Sequence, residues 1–369
     1  YVAMTTSVLG LGKLRYPING TPAANAQTTT ASRTYGITDN DANQLNESRN
    51  RLRWGGNYAK KLVRLAINTG VDVVKLQLYT GSGLVNSNLS EDRHKHFKKF
   101  ELNKNEHIYL AKMCKAANVK YLASVWDLEM LNWIDKYLDF YKIGSGDLTA
   151  YPIIKEFSKR KKPIVISTGL SNMNEVLKTV EFLQKQSSFY RKKENLALLQ
   201  CTSSYPTPDR ELNLSVIESL KEKTGLTVGY SDHSIGHLAL RVAYISGAQV
   251  MEFHFTDTRT GKKFRDHKIS LTSKEVKLLI KDLKKTSIIL GNKEKKLTVS
   301  EIKSKNVKTF RRAIFPKHQI KRGQIIRKND LVCLRPNVGI DARDFYDIIG
   351  KKSKINTKPL QKLNKKFFK

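Results

Sequence analysis

Cysteine is scarce in this chain. Cys114, Cys201 and Cys333 are the only three in 369 residues, and they lie far apart. That count and spacing exclude a disulfide framework and a CxxC zinc site, and they favour a reducing, cytoplasmic setting. Proline is sparse at nine residues. No apolar run reaches the length of a membrane-spanning helix, which argues against a membrane role. The opening YVAMTTSVLGLG lacks the basic start and small-residue cleavage site of a signal peptide. Acidic residues are also few: 33 Asp and Glu face 67 Lys and Arg, a net charge of +34. A chain this basic invites a nucleic-acid reading. The lysines, however, are spread over many helix faces (KKLVR, HKHFKKF, KDLKK) and are not gathered with interleaved aromatics. A basic surface serves small anionic substrates equally well, by concentrating them near the protein.

Apolar residues make up 40% of the chain, enough for a substantial core. Residues 1–46 stand apart as a polar, low-complexity lead-in (TPAANAQTTTAS). From residue 57 a regular alternation begins. NYAKKLVRLAIN has helical periodicity, and VDVVKLQLY, between Gly70 and Gly81, has the β-branched, continuously apolar character of a buried strand. Six further strand-like runs follow at 119–124, 140–144, 163–167, 196–201, 226–230 and 249–255. Helix-like runs occupy 104–117, 128–137, 151–160, 173–185, 214–222, 236–246 and 273–289. Seven strand–helix pairs predict an α/β protein with a parallel sheet covered by helices. With one more strand before residue 57, the expectation is a (β/α)8 TIM barrel. An open doubly wound sheet is the alternative, disfavoured because no GxGxxG follows the early strands. The barrel domain is expected over 47–290 and a linker over 291–310. A small β-rich domain is expected over 311–369, where short strands are broken by KRGQ, KND and RPN turns.

Polar residues recur at the carboxyl ends of the strand runs: Lys75 and Gln77; Lys142, Ser145 and Asp147; Ser167; Ser203 and Tyr205; His233; His254, then Asp266. In a barrel these ends meet at one mouth, where active sites form. Any one of them alone reads as an ordinary turn residue. The repetition over successive strands is what points to a site. Two lysines and several hydroxyls suit a multiply charged anion. Two histidines on adjacent strands can share a divalent metal and leave positions open for substrate. Taken alone, His254 reads as a core histidine; paired with His233, it reads as a ligand.

KIGSGDLTAYP, VISTGL, LLQCTSSYPTP, GYSDHSIG and MEFHF with the later DHKISL resemble the sialic acid synthase family. RRAIFPKHQIKRG, LVCLRPNVGI and IIGKKSK resemble that family's C-terminal antifreeze-like (SAF, β-clip) domain. The resemblance covers roughly residues 57–360. It implies an N-acetylneuraminate synthase-like transferase, which condenses phosphoenolpyruvate with N-acetylmannosamine or a relative. The product is a nine-carbon 2-keto-3-deoxy acid, with release of phosphate, and the family typically works as a domain-swapped homodimer. It further implies that His233 and His254 hold Mn2+, with Mg2+ or Co2+ as alternatives, and that this ion polarises the sugar aldehyde. Lys75, Lys142, Ser145, Ser167 and Ser203 would hold phosphoenolpyruvate. Gln77, Tyr205 and Asp266 would face the sugar, Asp147 would assist water, and Arg335 would reach the partner subunit's site.

The family's first-strand AEIG and NHxG motifs are missing. Glu47, 28 residues before Lys75, has the spacing of the family glutamate but no apolar strand around it. The eighth strand could come from 1–12, from 42–50 or from nowhere. Val125 replaces a phosphate-binding threonine, and FRDH replaces GPDH, which places Arg265 beside the site. Legionaminic or pseudaminic acid synthesis is a sister alternative. An inactive sugar-binding or assembly subunit with a degenerate first strand is an alternative of another class.

Overall fold

The computed structural model of the protein describes residues 5–10 and 54–369, with only the backbone described for 5–10, 54 and 55. Glu47 lies outside the described residues, as does most of the expected 1–46 lead-in. The chain divides into two compact units, 1–290 and 291–369.

The first unit carries one eight-stranded sheet. Its strands are β1 (Thr5–Gly10), β2 (Val73–Leu78), β3 (Lys120–Val125), β4 (Tyr141–Ile143), β5 (Ile164–Ser167), β6 (Leu196–Cys201), β7 (Thr227–Ser231) and β8 (Val250–His254). Their order across the sheet is β3-β2-β1-β8-β7-β6-β5-β4, so every strand but β4 that has a predecessor neighbours it, and β1 also neighbours β8. Ladders join β2 to β3, and β4 through β8 in succession, all parallel. Among the described strands no ladder joins β3 to β4. The eighth strand comes from residues 5–10, one of the positions left open by the sequence. It departs from the all-parallel expectation because β1 runs antiparallel to both neighbours. Thr5 lies opposite His254, Gly10 opposite Val250 and Val8 opposite Val73.

The helices between the strands are α1 (Trp54–Ile67), α2 (Glu91–Phe100), α3 (Lys104–Ala116), α4 (Tyr151–Lys159), α5 (Met173–Gln186), α6 (Val216–Thr224), α7 (Leu238–Ile245) and α8 (Ser273–Leu290). Their ends follow local chemistry. Asn103 with Glu106 and Asn172 with Glu175 form reciprocal capping boxes at the starts of α3 and α5. Gly225, at φ 64°, closes α6 in the left-handed region. The expected helix over 128–137 is broken into a single α-helical turn, Leu131–Ile134, between two 3-10 turns.

Alternation along the strands sorts the two faces of the sheet. Val74, Leu76, Leu78, Ile143, Ile166, Leu198, Val228, Met251 and Phe253 pack with the helices. On the other face Val73, Leu122, Phe140, Val165, Ala197, Leu199 and Val250 meet in a separate apolar cluster. Counting on by two from these residues, each of these strands turns polar toward its carboxyl end: Lys75 and Gln77, Ser124, Lys142, Ser167, Cys201, Glu252 and His254. The apolar cluster therefore forms a floor beneath a polar rim.

In the second unit, the stretch expected as linker contains two short helices, Val299–Lys303 and Asn306–Phe310. β9 (Ala313–Pro316) and β10 (Leu331–Leu334) pair antiparallel over a core that includes Ile314, Ile320, Ile326, Ile340, Ile348, Leu363 and Phe368. Asp330 ties the unit's turns together, accepting from His318 Nε2 at 2.9 Å and from the Arg327 backbone N–H at 2.8 Å.

Candidate active site

The site begins with the buried ends of β2, β4, β5 and β8. Lys75 Nζ donates to Glu252 Oε1 at 2.9 Å, and Lys142 Nζ lies 3.7 Å from Glu252 Oε2. Lys142 also donates to Ser167 Oγ at 2.7 Å and to its neighbour's carbonyl, Ile143, at 2.9 Å. Ser231 Oγ donates to Glu252 Oε1 at 3.2 Å. Two ammonium groups thus share one carboxylate, and all three side chains are buried. Burial works against the charged form of Glu252, but Lys142 and Lys75 outweigh it and hold the carboxyl at about 2. For Lys142 burial wins over the attraction of Glu252 and the ammonium falls to about 8. Glu252 Oε2 has no hydrogen-bond partner among the described groups. Two ammonium groups beside one carboxylate leave the cradle with net positive charge, which suits an anion, whereas the orphaned Glu252 Oε2 is an acceptor and calls for a donor or a cation.

Around it lie the hydroxyls. Ser145 opens the 3-10 turn Ser145–Asp147 after β4, and its Oγ accepts from the Gly169 backbone N–H at 3.1 Å. Gly169 closely adjoins Ser203 as well: a Cβ there would come within 2.5 Å of Ser203 Oγ and 2.8 Å of Ser145 Oγ. Asp147 is largely buried near Trp126, and burial raises its pKa from the ordinary aspartate value against the opposing pull of Lys142.

His233 and His254 follow on β7 and β8, with ring centroids 5.2 Å apart. His233 Nδ1 donates to the Thr202 carbonyl at 2.7 Å, which fixes the tautomer and leaves Nε2 basic. His254 Nε2 is buried and has no hydrogen-bond partner among the described groups. Burial keeps both imidazoles neutral, reinforced at His254 by the nearby cations. Two neutral imidazoles, one with an orphaned buried nitrogen, fit a divalent ion. Among the described residues no group of three or more His, Cys, Asp or Glu side chains is arranged to hold an ion. The pair would therefore leave most coordination positions to water and substrate. Tyr205 covers the imidazoles, its ring 4.1 Å from His233 and 5.8 Å from His254. Asp266 Oδ2 lies 3.8 Å from His254 Nδ1.

Cys201 Sγ stands 3.7 Å from His233 Nδ1 and beside Ser145 and Ser231, linking the imidazoles to the lysine cradle. Gln77 is half-buried on β2, in phase with Lys75. Lys75, Lys142, Ser145, Asp147, Ser167, Ser203, Tyr205, His233, His254 and Asp266 are thus brought to one end of the first unit. Arg335 belongs to the second unit, its guanidinium 5.7 Å from the Phe310 ring.

Sequence reasoning passed over Glu252 and Cys201. The signal for Glu252 was present: a lone carboxylate inside the apolar run QVMEFHF, two residues before His254 and so on the same strand face.

Fold and site together define a class: two lysines, a shared carboxylate and two neutral imidazoles at the carboxyl ends of parallel strands, followed by a small β-rich unit. The chain belongs to the NeuB family, which it matches over residues 62–295, and residues 311–362 match the SAF domain. It is 33% identical over 309 residues to N,N'-diacetyllegionaminic acid synthase of Campylobacter jejuni, an alignment spanning 80% of this chain and 90% of that protein. It is 30% identical to a pseudaminic acid synthase of Campylobacter jejuni, spanning 80% of this chain and 87% of that protein. Among solved structures, the N-acetylneuraminic acid synthetase of Leptospira borgpetersenii superposes with a TM-score of 0.62 at 27% identity, covering 68% of this chain and 86% of that one. No helix among the described residues is long and apolar enough to cross a membrane.

Proposed function

We propose that the protein condenses phosphoenolpyruvate with an N-acetylated aldose to give a nine-carbon 2-keto-3-deoxy sugar acid and phosphate, with the eight strands forming a closed ring. The observation that carries this reading is the cradle of Lys75, Lys142 and Glu252 beside two neutral imidazoles, in a chain of the NeuB family. Lys75 and Lys142, with Ser145, Ser167 and Ser203, bind the phosphate and carboxylate of the donor and fix its enol carbon toward the sugar. Gln77, Tyr205 and Asp266 orient the sugar. A divalent ion, Mn2+ in the first instance, would be held by His233 and His254 and would supply Lewis acidity to the aldehyde oxygen.

A carbon–carbon bond forms between the donor's methylene carbon and the aldehyde carbon. Water adds to the phosphate-bearing carbon, and the carbon–oxygen bond to phosphate then breaks. Two carboxylates differ sharply in their surroundings, and this separates their roles. Glu252, held ionised by the lysines, is too weak a base to accept a proton and serves to position them. Asp147, raised by burial, takes the proton from water. Arg335 of a second copy completes the sugar site in a homodimer.

The similarity to the legionaminic acid synthase supports a second acceptor class, the diamino-dideoxy sugars. The test is phosphate release from phosphoenolpyruvate with N-acetylmannosamine and with a diacetamido-dideoxy hexose, each with and without Mn2+. Release is expected only when donor, sugar and metal are all present, and a folded His233→Ala/His254→Ala double variant should show none. Absence of sugar- and metal-dependent release from folded protein with every acceptor overturns the reading.

A further inference from the structure

Three short extended segments of the second unit pair antiparallel, apart from β9 and β10. Ile325 lies opposite Lys352, and Ser353 opposite Phe368. The Gly323 and Ile326 backbone N–H groups donate to the Ser353 and Lys351 carbonyls at 2.7 and 2.8 Å. Lys352 and Lys369 donate to each other's backbone carbonyls at 3.0 and 3.1 Å. The middle segment is therefore 350–355, flanked by 321–327 on one side and 365–369 on the other. Alternation sorts the two faces. Ile326, Ser353 and Phe368 are buried, the first and last of them in the unit's core. Their neighbours Ile325, Arg327, Lys352, Lys354 and Lys369 are exposed on the opposite face, with Phe367 half-buried beside them.

The charge on this face has one sign. The three segments hold nine Lys and Arg and no Asp or Glu. Among the described residues only Lys365 of these nine has an ion pair, to Asp344 at 2.8 Å. The whole unit has 23 Lys and Arg against 6 Asp and Glu. The outward cations thus repel one another and lack a protein counterion. Among them sits Ile325, 51% exposed. Solvation of charges gives no reason for an aliphatic side chain in that position. An anionic bilayer surface does: the cations meet its headgroups while the aliphatic enters the acyl boundary. Nucleic acid fits less well. Single strands are held where aromatic faces stand open for base stacking, and the one aromatic of this face, Phe367, packs against the core.

We propose that this face docks the protein onto the anionic headgroups of a membrane surface. Such peripheral contact needs no spanning helix. Long lysine stems carry the charges to the headgroups while the backbone stays outside. The docking stands apart from the chemistry proposed for the first unit.

The test is sedimentation of the full chain with vesicles of phosphatidylcholine alone and of phosphatidylcholine mixed with phosphatidylglycerol, at low and at high salt. Binding is expected to the anionic vesicles only, and it should fall steeply as salt rises. Lys352→Gln/Lys354→Gln/Lys369→Gln should weaken it about a hundredfold, at about fivefold per cation removed. The melting temperature should not change, since all three side chains are exposed. Arginine at the same three positions should keep the binding. Ile325→Ser should weaken it about fivefold and diminish what persists at high salt. The control is Lys277→Gln/Lys281→Gln/Lys284→Gln on α8, which removes the same charge from exposed positions of the first unit and should cost about twofold at most. Equal losses from the two triple glutamine variants would assign the binding to net charge and overturn the proposal. No binding to anionic vesicles also overturns it. So does displacement from them by an oligothymidylate that the Lys352/Lys354/Lys369 variant no longer binds, which would make nucleic acid the partner.

Discussion

Lys142 and Glu252 set opposite limits on the site, and both limits follow from burial. Lys142 must be charged to hold an anion, and in the unliganded protein its ammonium titrates at about 8. Below that pH the group is protonated and the cradle works; above it the charge is lost. The value of kcat/KM for phosphoenolpyruvate, which reports ionisations of the free enzyme and free donor, should fall up to tenfold per pH unit on the alkaline side. Glu252 supports the charge on Lys142, so Glu252→Gln should move this alkaline limb to lower pH and cut kcat/KM at neutral pH by about tenfold or more. A limb unmoved in folded Glu252→Gln would show that another group controls it. Asp147→Asn should lower kcat with little change in KM for the donor, because its place is with water; near-normal turnover would remove it from that role. At this scale the lysines, serines and histidines were legible as strand-end residues. Glu252 was not, because a carboxylate in an apolar strand has meaning only once its two cationic partners are known. Lys75 is 177 residues away from it in sequence.

The loops and strands decide where those side chains point. Gly169, after β5, leaves room for the hydroxyls of Ser145 and Ser203, and a methyl group there would intrude on both. Gly169→Ala should therefore raise KM for phosphoenolpyruvate about tenfold with a small change in melting temperature, since the displaced atoms are at the rim. Gly229 is a different case. A Cβ there would lie 2.2 Å from the Val250 carbonyl and 2.6 Å from Leu199 Cδ2, both within the sheet. Gly229→Ala should cost about 1–3 kcal/mol of stability, read from chemical denaturation, because backbone cannot yield as a hydroxyl can. The seven parallel strands were legible because each is a short continuous apolar run. β1 was not, since TTSVLG has neither alternation nor a strand-like length of apolar residues, and its pairing is with strands far along the chain. The short helix Val299–Lys303 carried its own signal in Thr298 and Glu301, a capping box within a polar stretch.

Over the whole molecule, the net charge of +34 and the two-unit organisation bear on how the site is completed. If Arg335 acts on the site of a second copy, Arg335→Ala protein should be nearly inactive alone. Mixed with the equally inactive His233→Ala/His254→Ala protein, it should regain up to about a quarter of wild-type activity per site, because one mixed pairing contains one intact site. No recovery from a mixture shown by sizing to exchange subunits would place Arg335 outside the partner's chemistry.

The triad of Lys75, Glu252 and Lys142 carries its own counterion. Two cations alone in such an interior would demand a resident anion or would drive the strands apart; a built-in carboxylate spares the protein that dependence. The enzyme can therefore fold before it meets any ligand and wait in a loaded geometry. On the proposed reading, donor binding is an exchange of one anion's company for another's at the two lysines.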